Sequence, residues 1–195
     1  MRYIVLLALI IGVYGCSTKE TALRTYTINP QIDIDKQSST IYSTKSIKIA
    51  YPTSIKGIVS RRMTYSYNDL EVGTYNNARW SVSNGKLLMN SYIKALDKSH
   101  LFGAVIEYTS LAETNYLLES EVYEFYHKIR GKVSLSIVSV KFNFIAMDTN
   151  RLIKSKKFSY QIPTATLNAQ GYVEATNIAV KKMTLEMIEW LGRGE

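Results

Sequence analysis

The chain is poor in the residues that carry most bond-making chemistry. Its 195 residues include one cysteine, two histidines and three prolines. A single cysteine excludes an intrachain disulfide and leaves no thiol pair for zinc or redox exchange. The HExxH, GxSxG and CxxC patterns are absent, which removes the usual signals of a metalloprotease, a serine hydrolase or a dithiol site. No Walker A sequence occurs, so the chain carries no phosphate-cradling loop for ATP hydrolysis. No apolar run reaches the roughly twenty residues that a helix needs to cross a bilayer. Internal repeats and low-complexity blocks are also missing.

The one cysteine stands in an informative place. "LLALIIGVYGCSTKE" (residues 6–20) is a greasy run that stops at Cys16 and turns polar. The apolar stretch from Ile4 to Val13 follows Met1-Arg2, so it has a positive flank and the length of a secretory h-region. Val13-Tyr14-Gly15-Cys16 resembles a bacterial lipobox, with Tyr14 in place of the usual small residue. The competing reading is an ordinary export signal with a cysteine near its end. On the lipobox reading, residues 1–15 are a lipoprotein signal peptide. Cys16 then carries a diacylglyceryl thioether and an N-acyl chain, and no other cofactor is expected. Several chains anchor firmly where one holds only marginally. Ser17 follows; lipoproteins of this kind with serine there usually go to the outer membrane, a sorting rule that rests on resemblance.

Behind the leader, residues 16–45 are rich in Ser, Thr, Lys and Gln and read as a lipidated tether. Arg24 to Asn29 alternates well enough for a short strand. Residues 46–195 read as a single domain, large enough for a real core. "SIKIAY" opens it, and a hairpin breaks at Asn68-Asp69. A helix capped by Ser81 or Ser83 follows, with Leu88, Met89, Tyr92, Ile93 and Leu96 on one face. "FGAVIEY" (102–108) is a strand, and strand-helix-strand order implies a parallel crossover. Three strands then form an antiparallel meander, turning at Arg130-Gly131 and Asp148-Asn150, with a bulge expected near Ile137-Val138. Asn168 caps a final helix over Ala169 to Leu191, whose core stripe is Tyr172, Thr176, Ala179, Met183, Met187 and Trp190. The fold class expected is α/β (α+β): a mixed β-sheet packed by two main helices.

The charge balance is basic, 24 Lys and Arg against 16 Asp and Glu, net +8. This suits anionic partners such as lipid headgroups or an acidic protein face. Nucleic acid is not expected, because no basic recognition helix or aromatic-basic motif appears. Lys154, Lys156 and Lys157 crowd one strand, either to protect a sheet edge or to contact headgroups or a partner. Ile178, Leu185 and Ile188 form a second stripe on the last helix, either buried within the domain or meeting another chain. His100 and His127 read as wet surface histidines. Glu119 and Glu121 read as a solvated strand face rather than a metal site, and Trp80 and Trp190 as packing residues. No catalytic residue and no metal site is assigned, and the chain reads as a non-enzyme.

The order of these elements resembles the ABC-type transport auxiliary lipoproteins, which include the lipoprotein of paraquat-inducible MCE-type systems. The residues that carry the likeness are "RTYTI", "IKIAYP", "GIVSRR", "ARWSVSNGKLLMNSYIKAL", "NYLLESEVYEFYH" and a last helix ending near a Trp. Asn115 and Ser120 replace the family's usual Asp and Gly. The resemblance implies a fold similar to the N-terminal domain of TolB-type proteins. It also implies an accessory role, without catalysis, in ABC/MCE-type transport of lipid or other hydrophobic substrates. The expected partners are the membrane (through the anchor), an MCE-domain protein, an ABC permease and ATPase, and further copies of the chain. The expected place is the outer membrane, facing the periplasm. The same fold also suits a lipoprotein that scaffolds or activates a cell-wall synthase or a pore assembly.

Overall fold

The structure is a computed structural model that describes residues 22–34, 41–54 and 57–193. The expected leader and Cys16 lie outside the described residues. Those described form nine strands and two helices: β1 (Arg24–Tyr26), β2 (Tyr42–Ile49), β3 (Thr53–Ser54), β4 (Arg62–Ser66), β5 (Gly73–Trp80), α1 (Asn84–Ser99), β6 (Phe102–Glu107), β7 (Tyr116–Arg130), β8 (Val133–Ala146), β9 (Arg151–Pro163) and α2 (Ala169–Gly192). The mixed sheet packed by two helices is the class that the sequence pattern predicts, and both helices lie on one face.

β7 organises the sheet. One of its edges pairs with β8 along its whole length, antiparallel, and β9 continues the meander. Gly131 makes the β7–β8 turn at φ 58, a conformation that costs glycine little because it lacks Cβ. The other edge of β7 is shared by three parallel neighbours in succession. β2 pairs at Tyr116–Leu118, β3 at Glu121–Val122 and β4 at His127–Lys128. β6 adds to β2 in parallel, and β5 and β1 extend the sheet from β4. The expected parallel crossover is the β2–β6 pair, with α1 in the connection.

The helices form as their caps and stripes predict. Ser83 Oγ accepts from the Lys86 amide, and Asn168 Oδ1 accepts from Gly171. Val138, Val140, Phe142 and Phe144 of β8 face Leu88, Met89, Tyr92, Tyr172, Met183 and Met187 in one buried cluster. A buried side chain of this size contributes about 1.5–3 kcal/mol. Trp80 sits fully inside, edge-on to Phe125 and Tyr172 with centroids 5.8 Å away in each case.

Two expectations are corrected. The bulge expected near Ile137-Val138 lies on the partner strand, in β7 at Tyr123, opposite Ser139–Val140. β8 keeps its phase because Ser134 and Ser136 face the helices with partnered hydroxyls; Ser136 bonds Thr176 of α2 at 2.8 Å. The second correction concerns the tether. β2 begins at Tyr42, so a domain boundary at 46 would cut the strand. β1 pairs with β5, and the residues after it form a strap across both helices. Ile28 and Ile32 are buried, the Asn29 amide donates to Asn177 Oδ1 at 2.8 Å, and Lys98 donates to the Ile32 carbonyl. Asp33 lies between Lys98 and Lys181, at 3.8 and 3.7 Å. Two apolar anchors suffice to dock a segment whose polar composition reads as linker.

Candidate functional site

Among the described residues, a groove of about 930 Å³ lies where β7 begins. Its walls are the 108–115 loop, the β8–β9 turn and the start of β9, and β2 supplies Lys45 and Lys48. Asn115 holds this corner together. Its Oδ1 accepts from the Ser46 amide at 2.9 Å, its own amide donates to Ser46 Oγ at 3.2 Å, and its carbonyl accepts from Met147 at 2.9 Å. Lys48 Nζ donates to the Ser110 carbonyl at 3.1 Å and pins the loop from below. Tyr116 stacks on Phe144 with centroids 4.8 Å apart. Lys45, Lys48 and Arg151 thus line the groove together with Glu113 and Asp148, beside Tyr116, Met147 and Ile153. Cations beside an apolar lining suit an anionic amphiphile or an acidic, partly apolar protein segment. The sequence reading missed this groove because it is built from loops; the spacing of its cations along the chain carries no periodic signal.

The lysines singled out from the sequence do not act together. Lys154 closes the C-terminus of α2: Nζ donates to the carbonyls of Trp190, Leu191 and Arg193 at 2.8, 3.2 and 2.6 Å. A cation there meets the negative end of the helix dipole. It is an internal fastener rather than a headgroup contact. Lys156 lies over the Phe158 ring at 4.6 Å, and Lys157 over Tyr123 at 4.7 Å. Lys157 sits on the sheet face away from the helices, opposite Lys141 of β8, which in turn faces Glu121 of β7. The second stripe of α2 is also divided. Ile188 is 2% exposed and belongs to the core, Leu185 is half-buried against it, and Ile178 is 48% exposed. The part of this helix that meets solvent is too small for a continuous docking stripe.

His127 corrects the surface reading. It is fully buried on β7, stacked on Tyr172 with centroids 5.2 Å apart. Tyr75 Oη lies 2.7 Å from Nδ1, and Ser134 Oγ lies 2.6 Å from Nε2. A serine beside a histidine suggests a nucleophile and its base. Here Ser134 also bonds Thr164 and is itself buried, so the pair has no face open to a substrate. Burial lowers the His127 pKa to about 4, and burial, followed by neighbouring Tyr67 and Tyr65, raises that of Tyr75 to about 12. The network is a neutral, structural one. His100 is exposed and ends α1 at φ 53. Glu119 accepts from Asn143 at 3.5 Å on the face of the sheet away from the helices. Among the described residues, no group of three His, Cys, Asp or Glu stands close enough to hold a metal.

Comparison with known proteins gives structural neighbours. Protein XCC0632 from Xanthomonas campestris, of the DUF330 family, superposes with a TM-score of 0.76 at 18% identity, over 86% of this chain and 94% of its own. An uncharacterized protein matches with a TM-score of 0.68 at 12% identity, over 87% and 99%. The hypothetical protein CT253 from Chlamydia trachomatis gives 0.51 at 6% identity, over 76% and 96%. The fold is shared. At these identities the likeness extends to architecture alone. No family model matches the chain, and no curated protein matches it. Among the described residues, no helix is long and apolar enough to cross a membrane.

Proposed function

We propose that the protein is a lipid-anchored envelope lipoprotein, attached through Cys16, that serves as a non-enzymatic accessory subunit of an ABC/MCE-type lipid or hydrophobic-substrate transporter. The observation that carries this reading is a lipobox-like Val13-Tyr14-Gly15-Cys16 placed six residues ahead of a folded body. The shared architecture with a DUF330 protein supports the fold that the family resemblance implies. The body's part is positional. An anchor raises the local concentration of whatever the domain holds, as any tether does. The groove between β2, β7 and β9 supplies a cationic, partly apolar seat for a transporter subunit or its cargo. On this reading the site is the outer membrane's periplasmic face.

The test is Cys16→Ala in cells. The variant is expected to lose acylation by intact mass and to leave the membrane fraction. Normal membrane retention would overturn the anchor. Purification of the native protein from membranes is then expected to bring an MCE-domain protein with a permease and an ATPase. Recovery of a cell-wall synthase in their place would replace the transport role with the scaffolding one.

A further inference from the structure

Both ends of the long strands expose apolar side chains, and β1 begins at one of them. β1 runs parallel to β5, with Arg24 opposite Ala78. Residues before Arg24 therefore lead toward the end where β5 emerges from the 67–72 loop. That end carries exposed apolar side chains from separate segments. Leu70 is 95% exposed, and Val72, Val133, Leu167 and Leu23 are each about half exposed or more. Exposed apolar residues standing singly need no explanation, but a group gathered at one end marks a contact surface. The segments are fastened to each other. Asp69 pairs with Arg130 beside the β7–β8 turn, and the Thr164 amide donates to the Ser134 carbonyl at 2.9 Å. Arg24 and Leu167 line one shallow cleft. Arg24 and Lys132 add positive charge at the same end and are exposed, beside the Arg130–Asp69 pair and Glu71.

The chain beyond Ala22 sets the geometry. Six residue steps separate Cys16 from Ala22, and at most ~3.6 Å per residue they span about 20 Å. Because the strap fixes the body from β1 onward, no further length can be drawn from residues 24–34. We propose that this end of the domain is a bilayer-contact surface. Leu70, Val72 and Val133 seat among the headgroups of the leaflet that holds the acylated Cys16, and Arg24 and Lys132 meet anionic headgroups around them. At that leash length, an acylated Cys16 keeps this end within about 20 Å of the lipid. The opposite end also exposes apolar side chains, Leu111 to 99% with Tyr108, Met147 and Leu152 beside the groove, but the N-terminus of β1 emerges at the other end. The proposal rests on the anchored reading of Cys16.

The chain's shortage of thiols makes the test clean. Leu70→Cys and Leu111→Cys, each in the full-length lipidated protein, provide single labelling sites at positions with almost no packing. Each variant is labelled with an environment-sensitive fluorophore in vesicles of phosphatidylethanolamine and phosphatidylglycerol. The Leu70 probe is expected to shift blue and to be quenched by lipids spin-labelled near the headgroup; the Leu111 probe is expected to emit as in water. Intact mass is read first. An unmodified Cys16 would sink both the anchor and this orientation, since nothing would then hold that end at the leaflet. With acylation present, a Leu70 probe in water, or a quenched Leu111 probe, would overturn the orientation alone.

Discussion

The end of the sheet that faces the N-terminal leash and the end that holds the groove are fastened by different chemistry. At the leash end, His127, Tyr75, Ser134 and Thr164 form a buried network whose central imidazole is neutral. At the groove end, Asn115 clasps three backbone segments, and Lys154 closes α2 with a positive charge. A neutral buried histidine ties stability to protons. Amide clasps and a lysine on helix carbonyls do not, over the same pH range. The acid dependence argued from His127 therefore belongs to one end of the molecule.

Acid should separate the two ends most. The folded pKa of His127, about 4, lies below the unfolded value near 6.5, so the unfolded chain binds more protons between them. Stability from this site is fully present above about pH 6.5 and falls as pH drops toward 4, by up to about 3 kcal/mol. Denaturant midpoints measured from pH 7 to 4 should fall, and His127→Gln should flatten that slope. Hydrogen exchange at pH 5 should rise first around Tyr75, His127 and Ser134, leaving the 108–115 loop unchanged. A uniform loss of protection would erase the contrast.

A smaller effect is expected from Lys154→Met. It keeps most of the apolar stem but uncovers the carbonyls of Trp190, Leu191 and Arg193, at a cost of about 1–2 kcal/mol. The loss should be the same at pH 5 and pH 7, and amide exchange should rise in the last turn of α2. Asn115→Ala should cost least, about 1 kcal/mol, with faster exchange confined to the 108–115 loop and the start of β7. If this variant loosened the β4–β5 loop as well, the two ends would not be independent.

How far the sequence revealed this arrangement depends on the kind of signal involved. The caps at Ser83 and Asn168, the Gly131 turn and the Tyr172–Met187 stripe are local, and each was readable from spacing. The order of parallel partners along β7 depends on contacts between distant residues, and no local pattern encodes it. His127 was misread because alternation in β7 shifts at Tyr123, which moves the histidine from the open face to the covered one. Ser134 and Ser136 continue the covered face of β8, since a partnered hydroxyl satisfies a core position that patterning reserves for apolar residues. The strap was hidden by its polar composition. Lys154 shows the limit on charge patterns: three neighbouring lysines have three different surroundings. The lipidation signal at Cys16 lies outside the described residues and rests on the sequence alone.

β7 is an unbroken strand of fifteen residues, and at about 3.3 Å each it spans roughly 50 Å. With one end against lipid, that length becomes a ruler that holds the Asn115 corner a fixed height above the leaflet. The bulge at Tyr123 interrupts the ladder between them, so a load applied at the far corner would bend the strand there before it reached the anchor. A subunit that docks there must bridge that height, and its own dimensions are thereby constrained.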